Sequence, residues 1–341
     1  MDNNYFMGLD GFVWFTGVVE DRNDPSQLGR VKVRCLGFHT DNKDDIPTKD
    51  LPWAHVMHPV TDPSMQGMGS SPSFLLEGSW VVGFFRDSRE KQQPVIMGTL
   101  PGYPQDVADV TKGFNDPNGT YPSSEITHSE HSTNESDVNR LARNETDKAH
   151  SVVATKNDSI TEDVPIANVD TTWTEPSSAY AATYPKNHVF ESESGHIKEI
   201  DDTTDNERIH EYHTAGTFYE IDKDGNKSTR VVGSNYEVVA GSNYVNVKGD
   251  VNLTIDTNCN TYIKGDWNIQ VDGSKTEVVT GAVSETYKDT KTENVTGAVS
   301  ETYEATKTEN VTGAVSESYG STQTTAVSSN LTVTASKIDL N

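Results

Sequence analysis

The sequence predicts an all-β protein with a small N-terminal barrel, a long polar linker and a C-terminal run of extended strands that bends at fixed intervals. Three observations lead there. From Val231 onward the chain repeats every eight residues, a multiple of the two-residue strand period. Residues 12–103 break into short β-branched and aromatic runs between Gly, Pro, Asn and Asp clusters, with no competing helix-period stretch. Only 33% of the 341 residues are hydrophobic, which is low for one compact globule and suits an elongated repeat with a thin core.

Taken in order, residues 1–11 read as an N-terminal arm. Within 12–103, the runs Phe15–Glu20, Arg30–Leu36, Trp80–Phe85 and Pro94–Gly98 are strand candidates, and about five strands at that spacing suit a small barrel. Residues 104–186 are dominated by Ser, Thr, Asn, Asp and Glu without a persistent period. They read as an extended linker with one short helical turn near Val138–Arg143. Residues 187–230 read as a β-meander. His196–Ile200 and Arg208–Tyr212 alternate in the strand manner, and Phe218–Asp222 and Lys227–Val232 flank Asp224-Gly225, a hairpin signal.

The octads occupy 231–341. Gly233, Gly241, Gly249, Gly265, Gly273, Gly281, Gly297 and Gly313 share one register, with Thr257, Asp289 and Ala305 filling its gaps. The first octad position runs Val231, Val239, Val247, Ile255, Ile263, Val271, Val279, Tyr287 and onward to Val327. A 16-residue repeat overlies it: VTGAVSETYKDTKTEN at 279–294 returns nearly unchanged as VTGAVSETYEATKTEN at 295–310, and a third copy, VTGAVSESYGSTQTTA, follows at 311–326. An α-helix would put successive octads about 80° out of register, whereas a strand returns each residue to the same face. Val247, Val251, Leu253, Ile255, Cys259, Ile263, Trp267 and Ile269 then face the core, with Lys248, Asp250, Asn252, Asp256, Asn258, Lys264, Asp266 and Asn268 opposite. The glycines supply the bend, where a side chain would crowd a neighbouring strand. After Val271 the pattern weakens, because Lys275, Glu277, Glu285 and Lys291 fall on the inward face. Two closures satisfy the period: one chain coiling three octads per turn, or three interleaved chains each contributing a side. At one strand spacing of about 4.8 Å per octad, roughly fourteen octads give a rod of about 65 Å.

The formal net charge is −25 and Lys and Arg do not cluster, which argues against nucleic acid or anionic lipid as a partner. Lys32 and Arg34 alternate with Val31 and Val33 as a solvated strand face would. Cys35 and Cys259 fall in different segments, so no intrachain disulfide is expected and a reducing cytoplasm suits folding. There is no basic-then-apolar N-terminal signal and no apolar run of about 18 residues, so release inside an assembled particle is expected instead of Sec-type export. The pairs His55/His58 and His210/His213 have a spacing that suits a metal only on a helix, and they lie in strand or loop context. Glu285, Glu301 and Glu317 recur in near-identical repeats, whereas a glycosidase needs two unlike carboxylate environments. No catalytic, cofactor-binding or metal-binding residue is therefore assigned.

The octads resemble the triple-stranded β-helix of the central spike in contractile phage tails, a module shared with the valine-glycine-repeat spikes of type VI secretion. The N-terminal segment resembles that family's OB-fold through WFTGVVEDRNDPSQLGRVKVR (Trp14–Arg34), LPW (Leu51–Trp53), EGSWVVGFF (Glu77–Phe85), PVIMG (Pro94–Gly98) and GFNDPNGTYP (Gly113–Pro122). Gly29, Arg30, Trp53, Gly78 and Gly98 carry this signature. ESESGHIKEIDDT (Glu191–Thr203) and GTFYEI (Gly216–Ile221) resemble the lead-in to the spike.

The resemblance implies an OB-fold barrel and an intertwined, trimeric β-helix in a structural, non-enzymatic baseplate subunit without cofactor. It further implies a homotrimer joined at the OB end to a separate hub protein trimer and the tail tube. A separate tip protein would cap the C-terminal end near Ile338–Leu340. Such a subunit is assembled in the host cytoplasm, resides in the virion and contacts the host outer membrane transiently while puncturing it. The well-known phage spike has a lysozyme domain between barrel and β-helix; here only the polar linker fills that interval. Secretion-system spikes fuse a hub ahead of the barrel, where this sequence has about a dozen residues. A secretion spike, or a tailspike that binds or depolymerises surface polysaccharide, is the alternative.

Overall fold

The computed structural model describes residues 12–69, 72–124, 132–146 and 163–338, so the N-terminal arm expected at 1–11 lies outside it, as do Asp339 and Leu340. Two units divide the chain, Met1–Asn260 and Thr261–Asn341.

Five strands close the barrel: β1 (Val13–Asp21), β2 (Val31–Cys35), β3 (Trp53–Val56), β4 (Trp80–Phe85) and β5 (Pro94–Thr99), in the order β1-β2-β3-β5-β4. β3 and β5 pair in parallel and the other neighbours antiparallel, with β1 also paired to β4, so no edge is left open. Alternate residues from every strand fill the interior, among them Phe15, Val19, Val33, Ala54, Val81, Phe85 and Ile96. A β-carbon on Gly83 would lie 2.1 Å from the Val95 carbonyl oxygen and 2.8 Å from the Phe15 ring, so β4 and β5 approach there only because the side chain is missing. β3 has four residues behind Pro52, too short to stand out as a run of its own.

The reading of Lys32 and Arg34 as a solvated face is corrected by the structure. All of β2 is buried, Arg34 completely, because the loops over its outer face cover both cations. Lys32 donates to the Lys49 carbonyl oxygen and sits 5.0 Å from the centre of the Trp53 ring.

The interval 104–186 is packed in part. Residues 101–124 run back along the barrel and bury Tyr121, and a 3₁₀ turn at Leu141–Arg143 drives Leu141 into a second core. A two-residue ladder joins β6 (Val164–Pro165) to β7 (Thr172–Trp173).

The second core belongs to a five-stranded antiparallel meander: β8 (Asn187–Glu191), β9 (Ile197–Asp201), β10 (Arg208–Tyr212), β11 (Phe218–Ile221) and β12 (Lys227–Arg230). Gly225, at φ +81°, makes the β11–β12 turn that Asp224-Gly225 announces. Ile197, Tyr212 and Phe218 enclose Leu141, with Tyr180 and Val189 at the margin.

After Arg230 the described chain forms no further strand pairing. It runs extended and bends at 232–233, 240–241, 248–249 and every eighth residue thereafter to 328–329, in the register of the glycines.

Candidate assembly surfaces

The β1–β2 turn is locked by one carboxylate. Asp24 accepts the backbone N–H groups of Ser26, Leu28 and Arg30 and a two-pronged bond from the Arg30 guanidinium at 2.9 and 2.7 Å. The Arg30 guanidinium, ahead of these backbone donors, holds the Asp24 carboxyl far below the usual carboxylate range. Arg30 also lies 5.6 Å from the Trp53 ring centre, and Gly29 turns the chain at φ +68° against Pro72. Thus Gly29, Arg30 and Trp53 converge. Gly78 (φ +93°) stands apart from them, where a β-carbon would meet the Tyr121 carbonyl oxygen at 2.8 Å. Gly98 pairs with Val82 beside a bulge in β5 and touches nothing that a β-carbon would displace.

A buried ion pair holds the returning chain to the barrel. Glu20 and Arg34 are fully buried, bonded at 2.6 and 3.0 Å. Glu20 also accepts from the Thr48 hydroxyl at 2.7 Å and from the Phe114 N–H at 2.8 Å. Arg34 also donates to the carbonyl oxygens of Thr40 and Ile46. Gly113 lies flat on the guanidinium, where a β-carbon would come within 2.3 Å of Nε. Further along, Asp116 turns the strap by accepting the N–H groups of Asn118, Thr120 and Tyr121.

The meander is joined to the barrel by Arg22, which bridges Glu77 at 3.2 Å and Glu193 at 2.9 Å, and by the Phe74 and Phe190 rings, edge to face at 4.7 Å. Its packed face also buries a polar cluster beside the second core. Arg208 lies between Glu199 at 2.7 Å and Glu220 at 2.6 Å, and His210 Nδ1 meets Glu199 at 3.0 Å, with hardly any of this cluster exposed. Burial works to raise the Glu199 carboxyl, but His210, Arg208 and Asn187 together hold it low. Glu135, held by Arg140 and Arg143 at 2.8 Å each, fastens the Leu141 turn beside it.

The octads contrast with all this. Val247, Val251, Leu253, Ile255, Ile263, Trp267 and Ile269 are each exposed, from 42% at Ile263 to 78% at Leu253. None of the octad glycines has a positive φ, and a β-carbon on any of Gly233, Gly241, Gly249, Gly265, Gly273, Gly281, Gly297 or Gly313 would meet nothing within 4 Å. Nothing within one chain therefore requires glycine at these positions. In each 16-residue copy a tyrosine hydroxyl donates to the glutamate two residues before it, Tyr287 to Glu285, Tyr303 to Glu301 and Tyr319 to Glu317, at 3.3, 3.2 and 3.0 Å. The three glutamates thus share this local bond, to which Glu301 adds an ion pair with Lys307 at 3.3 Å.

Of the histidines with ligand-like spacing, His58 pairs with Asp62 at 2.7 Å, His210 with Glu199, and the His213 ring lies tilted against that of His196, 4.4 Å between centres. Among the described residues no group of three or more His, Cys, Asp or Glu is arranged to hold a metal, and no helix is long and apolar enough to cross a membrane.

Comparison with known proteins agrees with the barrel. The family described as Gp5 N-terminal OB domain matches residues 37–213, from within the barrel through β10. A protein named Gp5 from Vibrio phage KVP40 (isolate Vibrio parahaemolyticus/Japan/Matsuzaki/1991) is 42% identical over 286 residues, 75% of this chain and 66% of that protein. The pre-baseplate central spike protein Gp5 of Enterobacteria phage T4 is 42% identical over 114 residues, 32% of this chain and 20% of that protein. The chain thus spans just under two thirds of the first relative and a fifth of the second.

Proposed function

Since the chain belongs to the Gp5 OB-domain family, we propose that it is a baseplate central spike subunit of a phage tail, a structural component of the virion that acts without catalysis. Three copies interleave their octads into a triple-stranded β-helix, the barrels attach to a separate hub at the tail tube, and the rod is driven through the host outer membrane as the tail contracts. A separate tip protein caps the far end.

The observation that carries this reading is the state of the octads in one chain. They bend in register, expose every core-designated aliphatic and place glycine where the chain itself leaves room for a side chain. Strand glycines mark sites of close backbone approach, and here the approaching backbone has to belong to other chains. Interleaving removes free edges and gives continuous interstrand hydrogen bonding, so no chain unravels singly and the rod can transmit force. The interval 104–186 is polar throughout and only partly packed, which favours a spike without a hydrolase domain at that place.

Replacing Ile263 and Trp267 together with Asp tests the reading. Buried unpaired carboxylates at the core of the rod should abolish the trimer in sedimentation velocity while the barrel stays folded; a trimer of unchanged stability overturns the inward assignment.

A further inference from the structure

The two faces of the meander are mixed. Beside Ile197, Tyr212 and Phe218 its packed face buries Glu199, Arg208, His210 and Glu220, whereas its open face carries isoleucines. Ile200 pairs directly with Ile209, and Ile209 with Ile221, so three adjacent strands present one continuous β-branched row. Ile200 is 58% exposed and Ile209 44%. The neighbouring row has the Lys198–Glu211 ion pair at 2.8 Å, which makes a polar margin to an apolar centre.

β12 ends at Arg230 and continues without a break into Val231 and the octads. Any arrangement that interleaves the octads of several copies therefore brings their meanders together at the head of the rod. The octads also leave a problem unsolved. The segments 279–294 and 295–310 are nearly identical and 311–326 keeps their opening VTGAVSE and its Tyr, so a slip of sixteen residues between chains realigns those Val, Gly, Glu and Tyr positions. Repeating strands specify register weakly. The meander occurs once, and its apolar row cannot be satisfied by a slipped partner.

We propose that the Ile200–Ile209–Ile221 face is a contact with a second copy of this chain, and that it sets the register in which the octads interleave. This rests on the three-chain reading above. The isoleucine row closes first, holding the chains level, and the octads then pair downward from Val231.

The test uses the full chain with a nitroxide on Asp266→Cys in a Cys259→Ser background. Cys35 stays unlabelled because burial pushes its thiol up to about 12. Level chains place three labels at one height and give a single interlabel distance by pulsed electron resonance. Ile200→Lys/Ile209→Lys should reduce that population about tenfold, in favour of several distances or of monomer. Protection of the β9 and β10 amides checks that the meander itself remains folded. Ile200→Thr/Ile209→Thr keeps strand propensity while removing apolar surface, and should give a smaller loss in the same direction. A parent trimer with one distance that both variants retain overturns the registration role and leaves the three-chain spike standing. A monomeric parent overturns both.

Discussion

Replacing Glu20 with Ala removes one carboxylate that serves four donors: Arg34 twice, the Thr48 hydroxyl and the Phe114 N–H. Both members of the ion pair are completely buried, so the variant leaves a guanidinium without its counter-charge inside the barrel. Breaking a buried pair from one side costs about 3–5 kcal/mol, because the remaining charge stays desolvated. At ~4–8 °C per kcal/mol for a domain of this size, the barrel transition should fall by at least about 12 °C. Hydrogen exchange of the β1 and β2 amides, read by mass spectrometry, isolates the barrel from the rest of the chain. The strap should loosen with it, since Phe114 loses its acceptor, so proteolysis within 104–124 should quicken. Glu20→Gln keeps shape and part of the bonding and should lie between. A Glu20→Ala barrel within about 1 kcal/mol of the parent would refute the view that this pair clamps barrel and strap together.

The Leu141 turn should be acid-labile. Burial pushes the Glu135 carboxyl up, but Arg140, Ser132 and Arg143 bring it down to about 2, below its ordinary 4.5. A depressed carboxyl stabilises fully above the unfolded value and loses its contribution as pH falls through the folded one. Leu141 amide protection should therefore hold above about pH 4.5 and decline toward pH 2, losing on the order of 3 kcal/mol, and flat protection across that range would contradict the assignment. Gly113→Val forces a branched side chain onto the Arg34 guanidinium, so the strap should detach at a cost of about 1–3 kcal/mol, seen as lost protection at Phe114; an unchanged Phe114 amide would count against the clamp. In the assembled protein neither Cys35 nor Cys259 should react with iodoacetamide until denatured, and fast alkylation of Cys259 in a native trimer would place it on the outside of the rod.

The barrel is legible because its strands are short, β-branched and punctuated, and the eight-residue spacing of the bends after Arg230 because glycine recurs at that interval. β3 is harder to read, because Trp53–Val56 is brief and pairs with β2 and β5, both distant in sequence, and β8 because Asn187–Glu191 mixes Asn, His and Glu with its apolar residues at the edge of the sheet. The burial of Lys32 and Arg34 was not legible, since V-K-V-R alternation is what a half-solvated strand shows. The strap at Gly113–Phe114 and the loop carbonyls at Thr40 and Ile46 cover Arg34, the Lys49 carbonyl and the Trp53 ring cover Lys32, and all of these come from elsewhere in the chain. The polar cluster of the meander was hidden for a related reason. Glu199, Arg208 and Glu220 look like solvated residues one strand at a time and become an ion-paired cluster only once β9, β10 and β11 lie side by side. Leu141 was overlooked because one apolar residue in a polar stretch carries no period, yet it seals the second core.

The central claim is that this chain works as an interleaved trimer, and the native mass with and without unheated SDS tests it most directly. The account predicts a species of three times the 37.4 kDa chain mass that survives SDS until it is boiled. A monomer, or a trimer that SDS dissolves without heat, would contradict interleaving and with it the force-bearing rod.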